Sequence, residues 1–155
     1  MAVRPSDVLG RMDLVIALAQ SELAAQVTQE SGLDTKATGL AGLAGTVVIA
    51  VLATRSSFGP AWWVPFGGFL LATILALVTL FTDPLSVGPL FPDFYDGIKT
   101  DPEETAKRKA IEDLSADIEN NTRLLNVKRA LLQRTLYLYA ATLVISTVVL
   151  LATRG

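Results

Sequence analysis

The residues Asp34–Thr54, D-T-K-A-T-G-L-A-G-L-A-G-T-V-V-I-A-V-L-A-T, decide how this chain is organised. No charged residue lies between Lys36 and Arg55. A helix over Ala37–Thr54 would be ~27 Å long at ~1.5 Å per residue. That length is close to the ~30 Å hydrocarbon core of a bilayer. The stretch therefore predicts a first transmembrane helix at about residues 37–54.

A second uncharged stretch follows after a short turn. Residues 55–60 supply the serines, glycine and proline that a tight connection needs. Trp62 and Trp63 then open a run without charge that lasts until Asp83, and indole rings favour the headgroup region. We therefore predict a transmembrane hairpin over residues 37–82, with a second span at about 62–82 that Asp83–Pro84 ends.

The last third of the chain predicts one long helix. Asp101 is suited to an N-cap position and Pro102 to the first helical turn, and neither Gly nor Pro occurs from Glu103 to Thr153. A helix over residues 102–153 would be ~75 Å long. Its first part is rich in charge and is expected in the cytosol. The uncharged residues 135–153 predict a third span that is continuous with this cytosolic helix.

The charged part of this helix carries a seam of apolar residues. Its members recur every seven residues, as in a coiled coil: Ile111, Ile118, Leu125 and Leu132. Leu114 lies on the same side of the helix. Asn121 and Lys128 fall on or beside the same seam.

Residues 6–31 predict an amphipathic helix with Ser6 as N-cap and Gly32 just beyond its end. Its apolar positions recur at spacings of three and four: Leu9, Met12, Ile16, Ala19, Leu23 and Val27. The opposite face is acidic and rich in glutamine, whereas helices that lie in a membrane surface favour Lys and Arg there. Packing against the other cytosolic helix is therefore favoured, and a position on the membrane surface remains the alternative.

Residues 83–100 are too rich in Pro and Gly for a helix. Their apolar side chains predict an ordered cytosolic loop that lies on the membrane surface or on the cytosolic helices. A role in lining a ligand site is the less favoured alternative, because binding residues often lie on loops.

Small residues are concentrated in the first predicted span. Ala37, Ala41 and Gly45 are four apart, and Gly42 and Gly39 lie beside them. Small side chains let helices approach closely in lipid. These residues are candidates for packing within the chain or for self-association, and the sequence leaves the two alternatives open.

Asp34 and Lys36 stand where the first span begins. Their simplest roles are a helix cap and an anchor at the membrane boundary. The functional alternative is an ion pair, either between two helices of one chain or between chains.

Composition removes several classes of function. The chain has no Cys and no His, which excludes thiol catalysis, disulfides and zinc sites built on those residues. There is no basic excess of the kind that nucleic-acid binding requires. No carboxylate lies within a predicted span, which argues against a proton relay or an ion-coupled transporter. We therefore expect a single membrane domain over residues 1–155 that is not an enzyme and holds no metal or resident cofactor.

The distribution of Lys and Arg predicts the orientation. Residues 1–36 hold three of them and residues 83–134 hold eight, whereas Arg55 and Arg154 are the two on the other side. The positive-inside rule therefore places the N-terminus in the cytoplasm and the C-terminus outside.

Two motifs together resemble a known family. They are D-T-K-A-T-G-L-A-G-L-A-G at residues 34–45 and D-L-S-A-D-I-E-N-N-T-R-L-L-N-V-K-R-A-L-L at residues 113–132. The combination resembles the transmembrane effectors of bacterial cyclic-pyrimidine antiphage systems (Pycsar, PycTM type). This resemblance implies a homo-oligomeric protein of the inner membrane. It also implies activation by cyclic CMP or cyclic UMP from a partner cyclase, followed by membrane disruption and abortive infection.

Other functions remain open at this point. Membrane effectors of the SLATT type are similar in organisation. A non-toxic membrane scaffold and a small channel or transporter subunit are further alternatives. No β-rich cyclic-nucleotide-binding domain is recognisable, so the residues that would bind the nucleotide are not identified.

Overall fold

The computed structural model describes the backbone of residues 5–82, 85 and 102–154, and side-chain environments for residues 9–82, 85 and 102–153. Within these ranges all regular structure is helical: α1 (Pro5–Ala53), a 3-10 helix (Arg55–Ala61), α2 (Trp63–Leu80) and α3 (Glu103–Arg154). By length and composition, α1, α2 and α3 could each cross a membrane. The prediction of an all-helical chain with three candidate spans is therefore confirmed at this level.

Helix α1 is longer than the sequence pattern predicted. The N-terminal amphipathic segment and the first span form one uninterrupted helix, so the predicted end at Gly32 is wrong. The predicted N-cap at Ser6 is also wrong, because α1 already includes Pro5. A glycine inside a helix costs only ~1 kcal/mol. Buried contacts on both sides of Gly32, at Leu23 and Leu33, offset that cost.

The predicted turn between the first two spans is confirmed. It is a 3-10 helix in which Gly59 has a φ of 55°, a left-handed conformation that glycine adopts without a steric penalty. The predicted start of the second helix at the two tryptophans is confirmed too, and the buried Pro65 lies in its first turn. Helix α2 ends at Leu80, two residues before the approximate predicted end at residue 82.

The predicted loop over residues 83–100 lies outside the described residues, apart from Leu85, which is buried. The predicted N-cap at Asp101 also lies outside them. Helix α3 begins at Glu103, and the amide of Ala106 donates to the carbonyl oxygen of Pro102 at 3.0 Å. The helix runs without a break to Arg154, which confirms that the charged half of α3 is continuous with its apolar half.

The chain forms two compact units. One consists of Met1–Glu30 with Pro84–Leu125 and is called the charged unit below. The other consists of Ser31–Asp83 with Asn126–Gly155 and is called the apolar unit. Helices α1 and α3 each contribute a segment to both units.

In the charged unit, α1 and α3 run in parallel, because Asp13 contacts Lys107 and Gln26 contacts Thr122. These contacts support the prediction that residues 6–31 pack on the cytosolic helix. The members of the predicted apolar stripe from Leu9 to Leu23 are buried or half-buried. Its last member, Val27, is instead exposed, and Gln26 is buried in its place. The inward face follows alternating steps of three and four residues, which lead from Leu23 to Gln26.

The predicted seam on α3 is displaced by part of a turn. Among its four members, Leu125 is buried, whereas Ile111, Ile118 and Leu132 are only half-buried. The buried positions of α3 in this unit are Ala106, Ala110, Leu114, Asn121 and Leu125, of which Leu125 belongs to the predicted seam and Leu114 and Asn121 lie beside it. Small and polar side chains therefore form much of this contact.

In the apolar unit α1 and α3 are again parallel, and α2 packs antiparallel to α3. The parallel direction of α1 and α3 follows from the contacts of Asp34 with Lys128 and of Ser57 with Thr153. The antiparallel direction of α2 and α3 follows from the contacts of Gly68 with Thr142 and of Phe69 with Tyr139. The apolar core of this unit is formed by Val51, Phe58 and Phe69 with half-buried neighbours from all three helices.

Most of the apolar surface in the candidate spans is not covered by protein. Only 17% of the most apolar window is buried in α1 and in α3, and 28% in α2. Side chains such as Leu43, Ile49, Val144 and Leu151 are largely exposed. An apolar face of this kind is suited to contact with lipid or with further transmembrane helices.

Candidate functional site

A buried ion pair lies in the apolar unit. The ammonium Nζ of Lys128 lies 3.3 Å from Oδ1 of Asp34. Only 2% of the Lys128 side chain is exposed, whereas Asp34 retains 37%. Taking a lysine out of water costs several kcal/mol unless partners compensate, so a lysine in this position requires the carboxylate opposite it.

The pair lies at the edge of the predicted spans. Asp34 is one helical turn before Ala37, and Lys128 is two turns before Thr135. The sequence had suggested a helix–helix ion pair as one role for Asp34, and the structure provides it with Lys128 as partner. Lys36, the other charged candidate at this boundary, has an exposed side chain.

The buried face of α3 in this unit also carries polar side chains after Lys128 in the sequence. Thr135, Thr142 and Ser146 are all buried. Each hydroxyl donates to the carbonyl four residues earlier in α3, at 2.9, 2.8 and 2.6 Å respectively. On α2 the fully buried Thr79 does the same, at 2.9 Å. The interior of the apolar unit thus contains hydroxyl groups that are satisfied within their own helices.

Helices α2 and α3 approach each other closely at Gly68. A Cβ atom added to Gly68 would lie 2.5 Å from both Oγ1 and Cγ2 of Thr142. Next to this contact the rings of Phe69 and Tyr139 pack edge to face, with centroids 5.3 Å apart. Gly67, one residue earlier, faces open space. Gly68 is therefore the glycine whose missing side chain permits the helix contact.

The charged unit holds a second buried polar contact. Gln26 is 3% exposed, and its Nε2 donates to Oγ1 of Thr122 at 3.1 Å and to the carbonyl oxygen of Ile118 at 3.3 Å. The other amide atom, Oε1, is buried and has no hydrogen-bond partner among the described residues. Asn121, beside Thr122, is fully buried. Polar residues at such positions specify the register of a helix pair at a cost in stability.

The same unit carries an ion-pair network near the start of α3. Lys107 Nζ lies 2.7 Å from Asp13 of α1 and 2.9 Å from Glu103 of α3. The hydrogen bond to Asp13, and after it the one to Glu103, raises the pKa of Lys107 above its ordinary value. The stabilisation is therefore present at neutral pH and lost as the pH rises through that raised pKa. Both carboxylates are largely exposed, so the network contributes little.

The small residues of the first span do not share one environment. Ala37 is fully buried, Ala41 and Gly45 are half-buried, and Gly39 and Gly42 are exposed. A Cβ atom on any of the three glycines would meet nothing within 4 Å. The buried small residue after Ala37 is Ala44, which the spacing of four did not single out. The glycines therefore remain available for self-association, which stays a prediction.

Three functional candidates were missed by the sequence reasoning: Gln26, Gly68 and the pairing of Lys128 with Asp34. A signal for the lysine was present, because Leu114, Asn121, Lys128, Thr135 and Thr142 recur every seven residues. The sequence contains no comparable signal for Gly68, because nothing in it distinguishes Gly68 from the adjacent Gly67.

No group of three acidic side chains that could hold a metal ion occurs in the described part of the chain. Comparisons with protein-family models, with curated proteins and with solved structures found no match for this chain.

Proposed function

We propose that this chain is a membrane-embedded antiviral effector that disrupts the inner membrane when it receives a cyclic CMP or cyclic UMP signal. The observation that carries the proposal is the continuity of α3, which joins the charged half of the chain to a candidate span without a break. A change in the packing of α3 in the charged unit would thus act directly on its apolar segment. The resemblance of residues 34–45 and 113–132 to the Pycsar effectors supports the nature of the signal and of the outcome.

The orientation belongs to this proposal. With residues 1–36 and 83–134 in the cytoplasm, the charged unit would be on the side where a cyclase releases its product. The Lys and Arg distribution supports this arrangement.

The test is membrane potential in bacterial cells that express the chain with a pyrimidine cyclase or with an inactive cyclase. We expect depolarisation only with the active cyclase. Gly45→Leu should insert normally but depolarise less, because a bulky side chain there would separate helices of neighbouring copies. Ile49→Leu is the matched control, since Ile49 is already large and is 70% exposed. Equal depolarisation by Gly45→Leu and the unmodified chain, at equal abundance, would remove the small residues from the mechanism.

A membrane scaffold is the second candidate, and one observation favours it. Leu14, Val15 and Leu18 of α1 are 44–62% exposed in the charged unit, outside the predicted spans. An exposed apolar group of this kind is suited to a protein partner. If the scaffold function is correct, the active cyclase will leave the potential unchanged, and Leu18→Glu will abolish recruitment without affecting insertion.

A further inference from the structure

The apolar unit has a polar interior and an apolar exterior along α3. Lys128, Thr135, Thr142 and Ser146 are its buried members on this helix. The exposed large side chains of the same segment are mostly apolar, and they include Leu136, Val144, Ile145, Val148 and Leu151. A helix that only filled a bundle in lipid could equally have placed Ala or Val on its inner face.

The simplest role for these hydroxyls is close packing, because Ser and Thr are small. Their hydrogen bonds, however, all stay within one helix: each donates to its own helix backbone. Thr135, Thr142 and Ser146 make no hydrogen bond to another helix in the described structure. Helix α3 can therefore move away from its neighbours without breaking an interhelical hydrogen bond at these three positions.

In this unit, polar contacts between α1 and α3 or the turn after α1 lie before and after these three hydroxyls along α3. One is the Lys128–Asp34 pair, and the other is the hydrogen bond from Thr153 to the carbonyl oxygen of Ser57, at 3.0 Å in the turn after α1. Between these two contacts, the described residues form no hydrogen bond or ion pair that joins α1 to α3. At this level α2 and α3 are in direct contact, because Gly68 abuts Thr142 and the fully buried Phe69 packs against Tyr139.

Within the predicted span the row of hydroxyls rises ~17 Å from Thr135 to Ser146, over half of the ~30 Å of the hydrocarbon core, and Lys128 lies two turns before it. On the antiparallel α2, Thr79 is ~16 Å from Gly68 along the axis. Because Gly68 contacts Thr142, this places Thr79 at the level between Lys128 and Thr135. A second helix therefore adds a hydroxyl to the same interior.

We propose that Thr135, Thr142 and Ser146 line the path by which water and small inorganic ions cross the membrane when the effector is activated, with Lys128 at one end of that path. This inference rests on the proposed membrane-disrupting function and names the residues that carry it out. Hydroxyl oxygens that already donate to their own backbone retain lone pairs that accept hydrogen bonds from water. The charge of Lys128 then lies at a wet opening, where it is less costly than in the packed bundle.

Cysteine accessibility tests the inference, because the chain contains no native cysteine and each variant carries a single thiol. Thr142→Cys is compared with Val144→Cys, whose position is 66% exposed on the outer face of the same helix. Each variant is placed in phosphatidylethanolamine–phosphatidylglycerol vesicles. Potassium leakage and labelling by a charged, membrane-impermeant methanethiosulfonate are then measured before and after addition of cyclic CMP or cyclic UMP.

We expect the nucleotide to accelerate labelling of Thr142→Cys by at least about tenfold, because only a hydrated thiol forms the reactive thiolate and admits a charged reagent. The bound adduct should also reduce the leakage. Val144→Cys should stay unreactive throughout. Should Thr142→Cys fail to assemble against Gly68, Ser146→Cys with Val148→Cys as its control carries the same test.

The outcomes separate the two proposals. If the unmodified chain leaks but neither inner-face cysteine reacts faster than its outer-face control, the path is not lined by α3, and the effector function stands. If the unmodified chain does not leak with either nucleotide, the proposed function fails, and the inference fails with it.

Discussion

The contact between Gly68 and Thr142 gives the sharpest prediction about stability. In Gly68→Ala the new Cβ would lie 2.5 Å from two side-chain atoms of Thr142, whereas ordinary contacts lie at 3.4–4 Å. Thr142 cannot easily rotate, because it is β-branched and its hydroxyl is bonded to the Leu138 carbonyl at 2.8 Å. Overpacking of this kind costs ~1–3 kcal/mol.

Gly67→Ala is the matched control, because a Cβ there meets nothing within 4 Å. Both substitutions gain the same helix propensity, up to ~1 kcal/mol. The difference between the two free energies of unfolding therefore isolates the steric cost. We expect Gly68→Ala to be less stable than Gly67→Ala by ~1–3 kcal/mol. Adding Thr142→Ala removes both atoms at 2.5 Å and should recover most of that loss.

The assay is unfolding in mixed micelles of increasing dodecyl sulfate fraction. Trp62 and Trp63 are the only tryptophans of the chain, and both adjoin the start of α2, so their fluorescence reports on this unit. Equal stability of Gly68→Ala and Gly67→Ala would refute the close approach of α2 and α3. A loss in Gly68→Ala that Thr142→Ala does not restore would show that the strain arises from a different contact.

Three further predictions concern the ion pair, the long helix and the orientation. Asp34→Asn should lower the free energy of unfolding in the same micelle assay by ~1–2 kcal/mol, which is less than the ~3–5 kcal/mol for a fully buried pair because Asp34 is 37% exposed. Adding Lys128→Met should recover part of this loss, because it removes the unpaired buried charge. Leu125→Pro should destabilise α3 by ~3 kcal/mol or more and abolish nucleotide-triggered depolarisation, and full activity at equal abundance would show that α3 does not transmit the signal. An alkaline phosphatase fused after Gly155 should be active, since that enzyme works only outside the cytoplasm, and an inactive fusion of normal abundance would overturn the three-span orientation.

The three apolar helices could be predicted from sequence because long uncharged runs are a local property of the chain. Three sequence features each marked an element that the structure contains: the charge-free gap between Lys36 and Arg55, the turn around Gly59, and the absence of Gly and Pro from Glu103 to Thr153. The continuity of α3 followed from the same kind of observation.

Helix ends and helix faces were predicted less well. Gly32 looked like a terminator because a glycine is weakly helical by itself, but tertiary contacts at Leu23 and Leu33 keep α1 continuous. The spacing of four from Ala37 to Gly45 described a stripe that turns away from the buried face, which passes instead through Ala44.

The amino-acid sequence by itself therefore determined which segments are helical and apolar, since length, charge gaps and helix breakers act locally. Only the tertiary structure decided that Lys128 pairs with Asp34, that Gln26 turns inward and that Gly68, not Gly67, meets Thr142. These contacts join residues that are distant in the chain. Their partners depend on the register and rotation of one helix against another, which the packing of whole faces sets.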